Sequence, residues 1–299
     1  MTAIIETLGL VKTFGRVHAL DGLDLSVVEG EVHGFLGPNG AGKSTTIRVL
    51  LGLIRASGGS ATVLGLDPWR DAVRAHRDIA YVPDDVSLWP NLTGGEAIDL
   101  LTALRGGADE HLRAELVRDF DFDPRKKARG YSKGNRQKVA LIAAFARHAR
   151  LYILDEPTAG LDPVMEAVFR RQIDRVRADG GTVLLSSHIL SEVEELCDRV
   201  TIIRAGKTVE TGSLSSLRHL TRTSFRVTTG ADAASIAHLA GVHDLRREAD
   251  ALVFDADTDK LQSVLVGLTS VGLAGLAVSP TSLEELFLRH YSDAPVDVH

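Results

Sequence analysis

The fold of this chain is decided by the stretch Gly37-Pro38-Asn39-Gly40-Ala41-Gly42-Lys43-Ser44-Thr45, which matches the pattern G-x-x-x-x-G-K-[ST]. The glycines allow successive backbone N–H groups to turn inward around a phosphate chain. Lys43 can then reach the outer phosphates, and the Ser44 hydroxyl can bind a Mg²⁺ ion. The stretch therefore predicts a site for a nucleoside triphosphate.

The sequence on either side of this stretch supports the same interpretation. Val32–Leu36 predicts a buried strand immediately before it, and Thr45–Leu51 predicts a helix immediately after it. The positive end of the helix dipole would then face the phosphates. A glycine-rich turn that matches the pattern by chance would not need this strand–loop–helix context.

Composition excludes several classes of protein. The chain has 299 residues, 44% hydrophobic and 25% charged, which is typical of a globular protein. A formal net charge of −6 argues against broad attraction to nucleic acid, and one cysteine excludes an intramolecular disulfide. The N-terminal residues show no signal peptide, and the apolar runs are shorter than the roughly 20 residues that span a bilayer. If the protein works at a membrane, we expect another chain to supply the membrane part.

The pattern of apolar residues predicts an α/β domain over residues 1–212. Residues 3–36 predict several strands, and strands follow at 60–67, 79–82, 151–154, 182–187 and as a hairpin over 200–211. A helical subdomain is expected at about 84–150, with helices over 94–104, 110–120 and 139–148, followed by one at 164–177.

A smaller α+β domain is predicted over residues 213–299. Its elements follow the order β-α-β-β-α-β, which is the ferredoxin-like order. A last helix is expected from Ser282 to His290.

Three polar residues follow two buried strands in the second half of the first domain. Asp155 and Glu156 end the strand Leu151–Leu154, and His188 follows the strand Thr182–Ser187. Beside a bound triphosphate, Asp155 could hold the metal and Glu156 could activate the attacking water as a general base. His188 could hydrogen-bond the terminal phosphate.

Together these residues resemble the ATP-binding subunit of ABC transporters over residues 3–212. The stretch 37–45 is similar to the family's Walker A motif, Leu151–Pro157 to Walker B, and Ala159–Asp162 to the D-loop. Ser132-Lys133-Gly134-Asn135 lies where the family has its signature sequence. The resemblance implies ATP contacts from the signature segment and Asp162, adenine stacking on Phe14, and a switch-histidine role for His188. It also implies ATP and Mg²⁺ as cofactors.

The sequence departs from the family pattern at two motifs. The usual Leu-Ser-Gly-Gly-Gln signature reads Tyr131-Ser132-Lys133-Gly134-Asn135, which keeps the serine and the second glycine. The usual loop glutamine is replaced by Asp84, whose carboxylate can offer oxygen to Mg²⁺ but cannot donate a hydrogen bond. Asp84 is therefore a candidate metal ligand of altered chemistry.

Both departures, together with Ser282–Arg289, resemble the bacterial antibiotic-exporter branch, with daunorubicin and tetronasin exporters as familiar members. This resemblance implies ATP-driven export through a separate membrane permease at the cytoplasmic face of the membrane. The alternative is an ABC-type ATPase that acts on nucleic acid or the ribosome. DNA-repair heads carry long coiled-coil insertions, and ribosome-acting members carry two cassettes, whereas this sequence predicts neither.

Two partners are expected. Because Ser132 and Gly134 follow a helical subdomain, we expect them to lie far from their own phosphate loop and to complete the site of a second copy bound head to tail. The permease is expected to insert a short cytoplasmic helix beside Trp89-Pro90-Asn91-Leu92. The alternative is that Trp89 and Leu92 pack inside the helical block.

Overall fold

A computed structural model describes residues 2–214, 216, 223–230, 232–257, 260–270 and 272–280. The chain divides into two compact units, Met1–Thr211 and Gly212–His299. The predicted helix Ser282–His290 lies outside the described residues.

The described part of the first unit contains nine strands and seven α-helices. The strands are β1 (Ala3–Phe14), β2 (Val17–Val28), β3 (Val32–Leu36), β4 (Gly58–Val63), β5 (Ile79–Val82), β6 (Leu151–Asp155), β7 (Thr182–Ser187), β8 (Arg199–Arg204) and β9 (Lys207–Ser213). The helices are α1 (Lys43–Leu50), α2 (Ala72–Ala75), α3 (Gly94–Ala103), α4 (Glu110–Asp119), α5 (Lys133–Phe145), α6 (Pro163–Ala178) and α7 (Leu190–Leu196).

A sheet of six described strands forms the centre of this unit, in the order β5-β6-β7-β3-β8-β9. The pairings β5–β6, β6–β7, β7–β3 and β3–β8 are all parallel. Every residue of β3, β6 and β7 is buried, as expected for the inner strands of a parallel sheet that is covered on both faces. The α/β prediction with a phosphate loop after β3 is confirmed.

The strands expected before the phosphate loop form a second sheet. Strand β1 pairs antiparallel with β2 and with β4. Leu10, Leu20 and Leu25 pack with Ile47 of α1 in one apolar core. This sheet therefore supports the helix that follows the phosphate loop.

The block between β5 and β6 is helical, as the sequence predicts. Thr93 and Glu96 form a reciprocal capping box at the start of α3, and Asp109 caps α4. Helices α3 and α4 both pack against α5. The connection from α1 to α5, residues 51–132, is described throughout and contains no long coiled-coil insertion.

The second unit contains β10 (Thr223–Thr228), α8 (Ala233–Ala237), β11 (Val242–Glu248), β12 (Ala251–Ala256), α9 (Leu261–Ser270) and β13 (Gly275–Pro280). The described strands form an antiparallel sheet in the order β11-β12-β10-β13. Phe225 and Phe254 stack at its centre, with ring centroids 5.1 Å apart, and Val264 and Leu268 of α9 pack in the same core.

Candidate functional site

A cavity of about 330 Å³ lies where β3, β6 and β7 end. Open α/β sheets bind ligands at the carboxyl ends of their strands, so the position alone marks a candidate site. The lining combines the phosphate loop with charged residues from distant parts of the chain: Ala19, Pro38, Asn39, Gly40, Gly42, Lys43, Ser44, Thr45, Asp84, Lys133, Glu156, Ala159 and His188.

The phosphate loop takes a backbone path that requires glycine at two positions. Gly40 and Gly42 have φ values of +81° and +113°, which L-residues rarely adopt. A side chain at Gly42 would also meet the Ala19 carbonyl at 3.0 Å. Gly37 and Ala41 of the predicted set are not part of the lining, and the Ala41 carbonyl accepts a hydrogen bond from the Gly206 N–H at 2.9 Å.

Lys43 is the buried cation of the cavity. Its side chain is 6% exposed, and its ammonium donates to the Gly37 carbonyl and lies 3.3 Å from a Glu156 carboxylate oxygen. A phosphate oxygen is a strong, charged acceptor for the same ammonium. Lys43 is therefore placed to exchange these internal contacts for a triphosphate.

Asp155 lies below the lining and is 3% exposed. Its Oδ1 accepts a hydrogen bond from the Ser186 hydroxyl at 2.5 Å. Burial raises the pKa of Asp155, as do the charges of Asp84 and Glu156, while hydroxyl hydrogen bonds from Ser186 and Ser44 oppose the rise. A cation bound nearby would therefore stabilise the charged form of the Asp155 carboxylate.

This donor set fits the Mg²⁺ ion that the sequence implies. The hydroxyl of Ser44 hydrogen-bonds the buried carboxylate of Asp155, and the negative charges of Asp84 and Glu156 act on that carboxylate from the cavity lining. Oxygen ligands of this kind suit Mg²⁺, which usually binds one or two carboxylates together with substrate phosphates.

Glu156 has an unusual backbone conformation, with φ at +50°. Its N–H is held by the Ser186 carbonyl and hydroxyl, each at 3.2 Å. This conformation turns the side chain toward the cavity, where its Oε2 lies 2.7 Å from His188 Nδ1. The base candidate and the histidine therefore form a direct pair.

Asp84 and Lys133, the two departures from the family pattern that carry charge, lie close together at the rim. Lys133 Nζ is 3.9 Å from Asp84 Oδ1, and the side chains are 56% and 52% exposed. An exposed pair of this kind contributes little to stability. Its effect is to bring an additional cation to the cavity.

The signature segment lies at the start of α5, and one of its residues reaches the cavity. Lys133 lines the cavity of its own chain. Ser132 Oγ accepts the Asn135 N–H as the helix cap, and Gly134 approaches the Gly160 carbonyl so closely that a Cβ would lie 2.4 Å from it. Ser132, Gly134 and Asn135 themselves stand outside the cavity lining.

Two predicted nucleotide contacts also stand outside the lining. The carboxylate of Asp162 caps α6 by accepting the N–H groups of Val164 and Met165, each at 3.0 Å, which the Asp-Pro pair at this helix start could have indicated. Asp162 therefore makes no contribution to the cavity of its own chain. Phe14 is 50% exposed at the end of β1, with the Lys12 ammonium 4.8 Å from its ring centroid.

The sequence reasoning missed residues that support the site from behind. Ser186 bonds both Asp155 and Glu156, and Gln137 donates to the Pro157 carbonyl at 2.9 Å. Glu192 accepts hydrogen bonds from Thr158 and Ser187. The neighbouring-strand position of Ser186 was the one available signal, since it follows from pairing β6 with β7.

A separate apolar groove of about 700 Å³ lies in the same unit. It is lined from the end of α1 and the α2 region, from β5 and the segment after it, and from the inner faces of α3 and α5. Leu53, Trp89 and Leu104 line it and are 55%, 51% and 76% exposed. Trp89 therefore does not pack inside the helical block, whereas Leu92 is half-buried.

The fold and the cavity together define a P-loop nucleotide-binding ATPase. The ABC transporter family model matches residues 20–159. The chain is 40% identical to the daunorubicin/doxorubicin resistance ATP-binding protein DrrA of Streptomyces peucetius, over 73% of this chain and 67% of that protein. It is 31% identical to the uncharacterized ABC transporter ATP-binding protein YhaQ of Bacillus subtilis (strain 168), over 94% of this chain and 96% of that protein.

A solved dimeric ATP-binding cassette in a post-hydrolysis state, bound to ADP and Pi, has the same fold. It superposes with a TM-score of 0.64 at 23% identity, over 70% of this chain and 98% of that one. The chain thus belongs to the ABC transporter family, as an ATP-binding ATPase subunit.

We predict that Asp155→Asn stabilises the nucleotide-free protein, because the amide removes a buried charge but can still accept from Ser186. At pH 7 the melting temperature should rise by about 2–4 °C. The folded pKa lies above the ordinary 3.8, so the penalty of the charged form disappears as the pH falls through the folded pKa. The gain should therefore shrink on acidification in calorimetric scans.

The same variant should lose the further stabilisation that Mg²⁺ and ATP give the wild type. For the nucleotide-free protein Asp84→Asn is the matched control: the Asp84 carboxylate is half exposed, so its replacement should change the melting temperature by less than about 1 °C. A lower melting temperature for Asp155→Asn than for the wild type would contradict the assigned burial cost.

Proposed function

We propose that this chain hydrolyses ATP to power export of drugs, antibiotics or other hydrophobic compounds through a separate membrane permease, to which it is bound at the cytoplasmic face. The observation that carries the proposal is the convergence of Lys43, Glu156 and His188 on one cavity beside the phosphate loop. Similarity to a daunorubicin/doxorubicin resistance ATP-binding protein supports the class of substrate. No helix in the described part of the chain is long and apolar enough to cross a membrane.

The geometry supports water activation by Glu156. One carboxylate oxygen of Glu156 faces Lys43 and the other accepts from His188, so the side chain is fixed beside the phosphate-binding lysine. The water oxygen attacks the terminal phosphorus, its proton passes to the Glu156 carboxylate, and the bond to the leaving phosphate oxygen breaks. Lys43 stabilises negative charge on the phosphates throughout. Mg²⁺, held by Ser44 and Asp155 with Asp84 as a further candidate, would supply charge neutralisation of the phosphate oxygens.

Lys43 and Glu156 should fail in different ways when changed. Lys43→Ala removes a phosphate contact and should weaken ATP binding by about tenfold or more as well as lowering turnover. Glu156→Gln keeps the shape but loses the base, so kcat should fall by about 10²–10⁴ while ATP still binds. Equilibrium nucleotide binding and phosphate release measure the two effects separately, and wild-type turnover by Glu156→Gln would contradict the base role.

The proposal includes a head-to-tail dimer with two ATP molecules between the copies. Ser132 is exposed at the start of α5, outside the cavity of its own chain, where a facing copy could contact it. In that arrangement Ser132, Gly134 and Asp162 would act on the neighbouring nucleotide, and Phe14 would stack on the adenine of its own. The solved dimeric cassette of the same fold supports this arrangement by analogy.

Glu156→Gln with ATP and Mg²⁺ should accumulate as a dimer, because ATP is retained at the interface. Light scattering should give twice the monomer mass, and Lys43→Ala, which binds ATP weakly, should stay monomeric as the control. Monomers alone, both with and without the membrane partner, would overturn the dimer.

The permease is proposed to dock in the apolar groove beside Trp89 by a short cytoplasmic helix. Exposed apolar side chains on both sides of a cavity of about 700 Å³ are the observation that supports this place. The groove has walls from the core sheet and from the helical block, so a helix lying in it would contact both.

Trp89→Ala and Leu104→Ser should each weaken permease binding by at least about tenfold, because large apolar side chains at the centre of an interface dominate its affinity. Folding and ATP affinity should be unchanged, since both side chains are exposed. Leu8→Ser is the matched control, because Leu8 of β1 is 58% exposed and does not line the groove. Unchanged binding of the permease by both groove variants in co-purification would place the contact elsewhere.

A further inference from the structure

We infer that Glu192 is a positioning residue for ATP hydrolysis: it holds the general base Glu156 and its partner His188 in place relative to each other. Glu192 lies on α7 and is 8% exposed. One of its oxygens accepts a hydrogen bond from the Thr158 hydroxyl at 2.6 Å, and the other accepts from the Ser187 hydroxyl at 2.9 Å. We call these three residues the Glu192 clamp; the inference rests on the base role proposed for Glu156.

The clamp joins the two segments that carry the reacting pair. Thr158 lies two residues after Glu156, and Ser187 immediately precedes His188. The Ser187 oxygen also accepts a hydrogen bond from the Ile189 N–H at 2.9 Å. This bond holds the backbone immediately after His188. One carboxylate thus spans the Glu156 segment and the His188 turn.

The Glu156 backbone needs such support. A non-glycine residue at φ +50° lies in a sparsely populated region, and such conformations persist where the surroundings over-determine them. Ser186 holds the Glu156 N–H on one side, and Gln137 of α5 holds the Pro157 carbonyl on another. The Glu192 clamp supplies the third restraint, at Thr158.

The clamp also explains why a carboxylate is tolerated in a buried position. A buried acceptor needs hydrogen-bond partners, and each carboxylate oxygen of Glu192 accepts a short hydrogen bond from a hydroxyl group. Side-chain networks of this kind rigidify the groups they connect. A buried glutamate of purely architectural value would affect folding but would leave the turnover of the folded protein unchanged, which makes the two roles separable.

The test compares Glu192→Ala with Glu192→Gln. Loss of the clamp should lower kcat by about 10- to 100-fold through misplacement of Glu156 and His188, with ATP affinity changed by less than about threefold. Glutamine should restore at least about a third of the activity, because its carbonyl accepts one hydroxyl and its amide donates to the other. Glu195→Ala is the matched control on the same helix, since Glu195 is 52% exposed and pairs with Arg170, and it should leave kcat unchanged.

Two single-hydroxyl variants keep the test decisive if Glu192→Ala does not fold. Thr158→Val and Ser187→Ala each remove one arm of the clamp, and each should lower kcat more than ATP affinity. Folded variants with kcat within about twofold of the wild type would overturn the inference. Glu156→Gln, measured in parallel, separates the two claims: wild-type turnover there would refute the base role, whatever the clamp variants do.

Discussion

The site depends on the register in which β7 pairs between β3 and β6. Leu36 is opposite Ser187 and Asp155 is opposite Ser186, so the three strands end at the same level. The phosphate loop, the acidic pair and the histidine turn leave the sheet from these ends. Because all three strands are buried on both faces, a shift in register would disturb packing on both sides, which holds the loops in place.

The charges at this edge are balanced only in part by the chain itself. Asp155 is buried and Glu156 is nearly so, and the buried ammonium of Lys43 lies 3.3 Å from Glu156. The raised pKa of Asp155 reports the resulting cost. A site with this charge arrangement gains more from binding phosphates and a divalent cation together than from either alone, since each neutralises what the other adds.

Local sequence was sufficient to predict the strands, the phosphate loop and the acidic strand end. These features are continuous in sequence, and apolar runs such as Leu151–Leu154 carry their own signal. Contacts between distant segments were not predicted. The approach of Lys133 to Asp84 and the hydrogen bonds of Glu192 depend on how α5 and α7 pack. Asp162 was predicted to contact nucleotide but caps α6, because an aspartate at this position is suited to either role.

Helix α5 links the two surfaces on which the proposed transport cycle depends. Its first residue, Lys133, lines the nucleotide cavity, and Gln137, one turn further on, bonds the carbonyl next to Glu156. Its last turns place Ala140, Ala143 and Ala144 in the wall of the apolar groove. If the permease docks in this groove as proposed, a displacement of α5 there would also move Lys133 and Gln137 at the cavity, because a helix moves as a rigid element. Helix α5 also packs against β5, so the sheet edge would take part in the same movement.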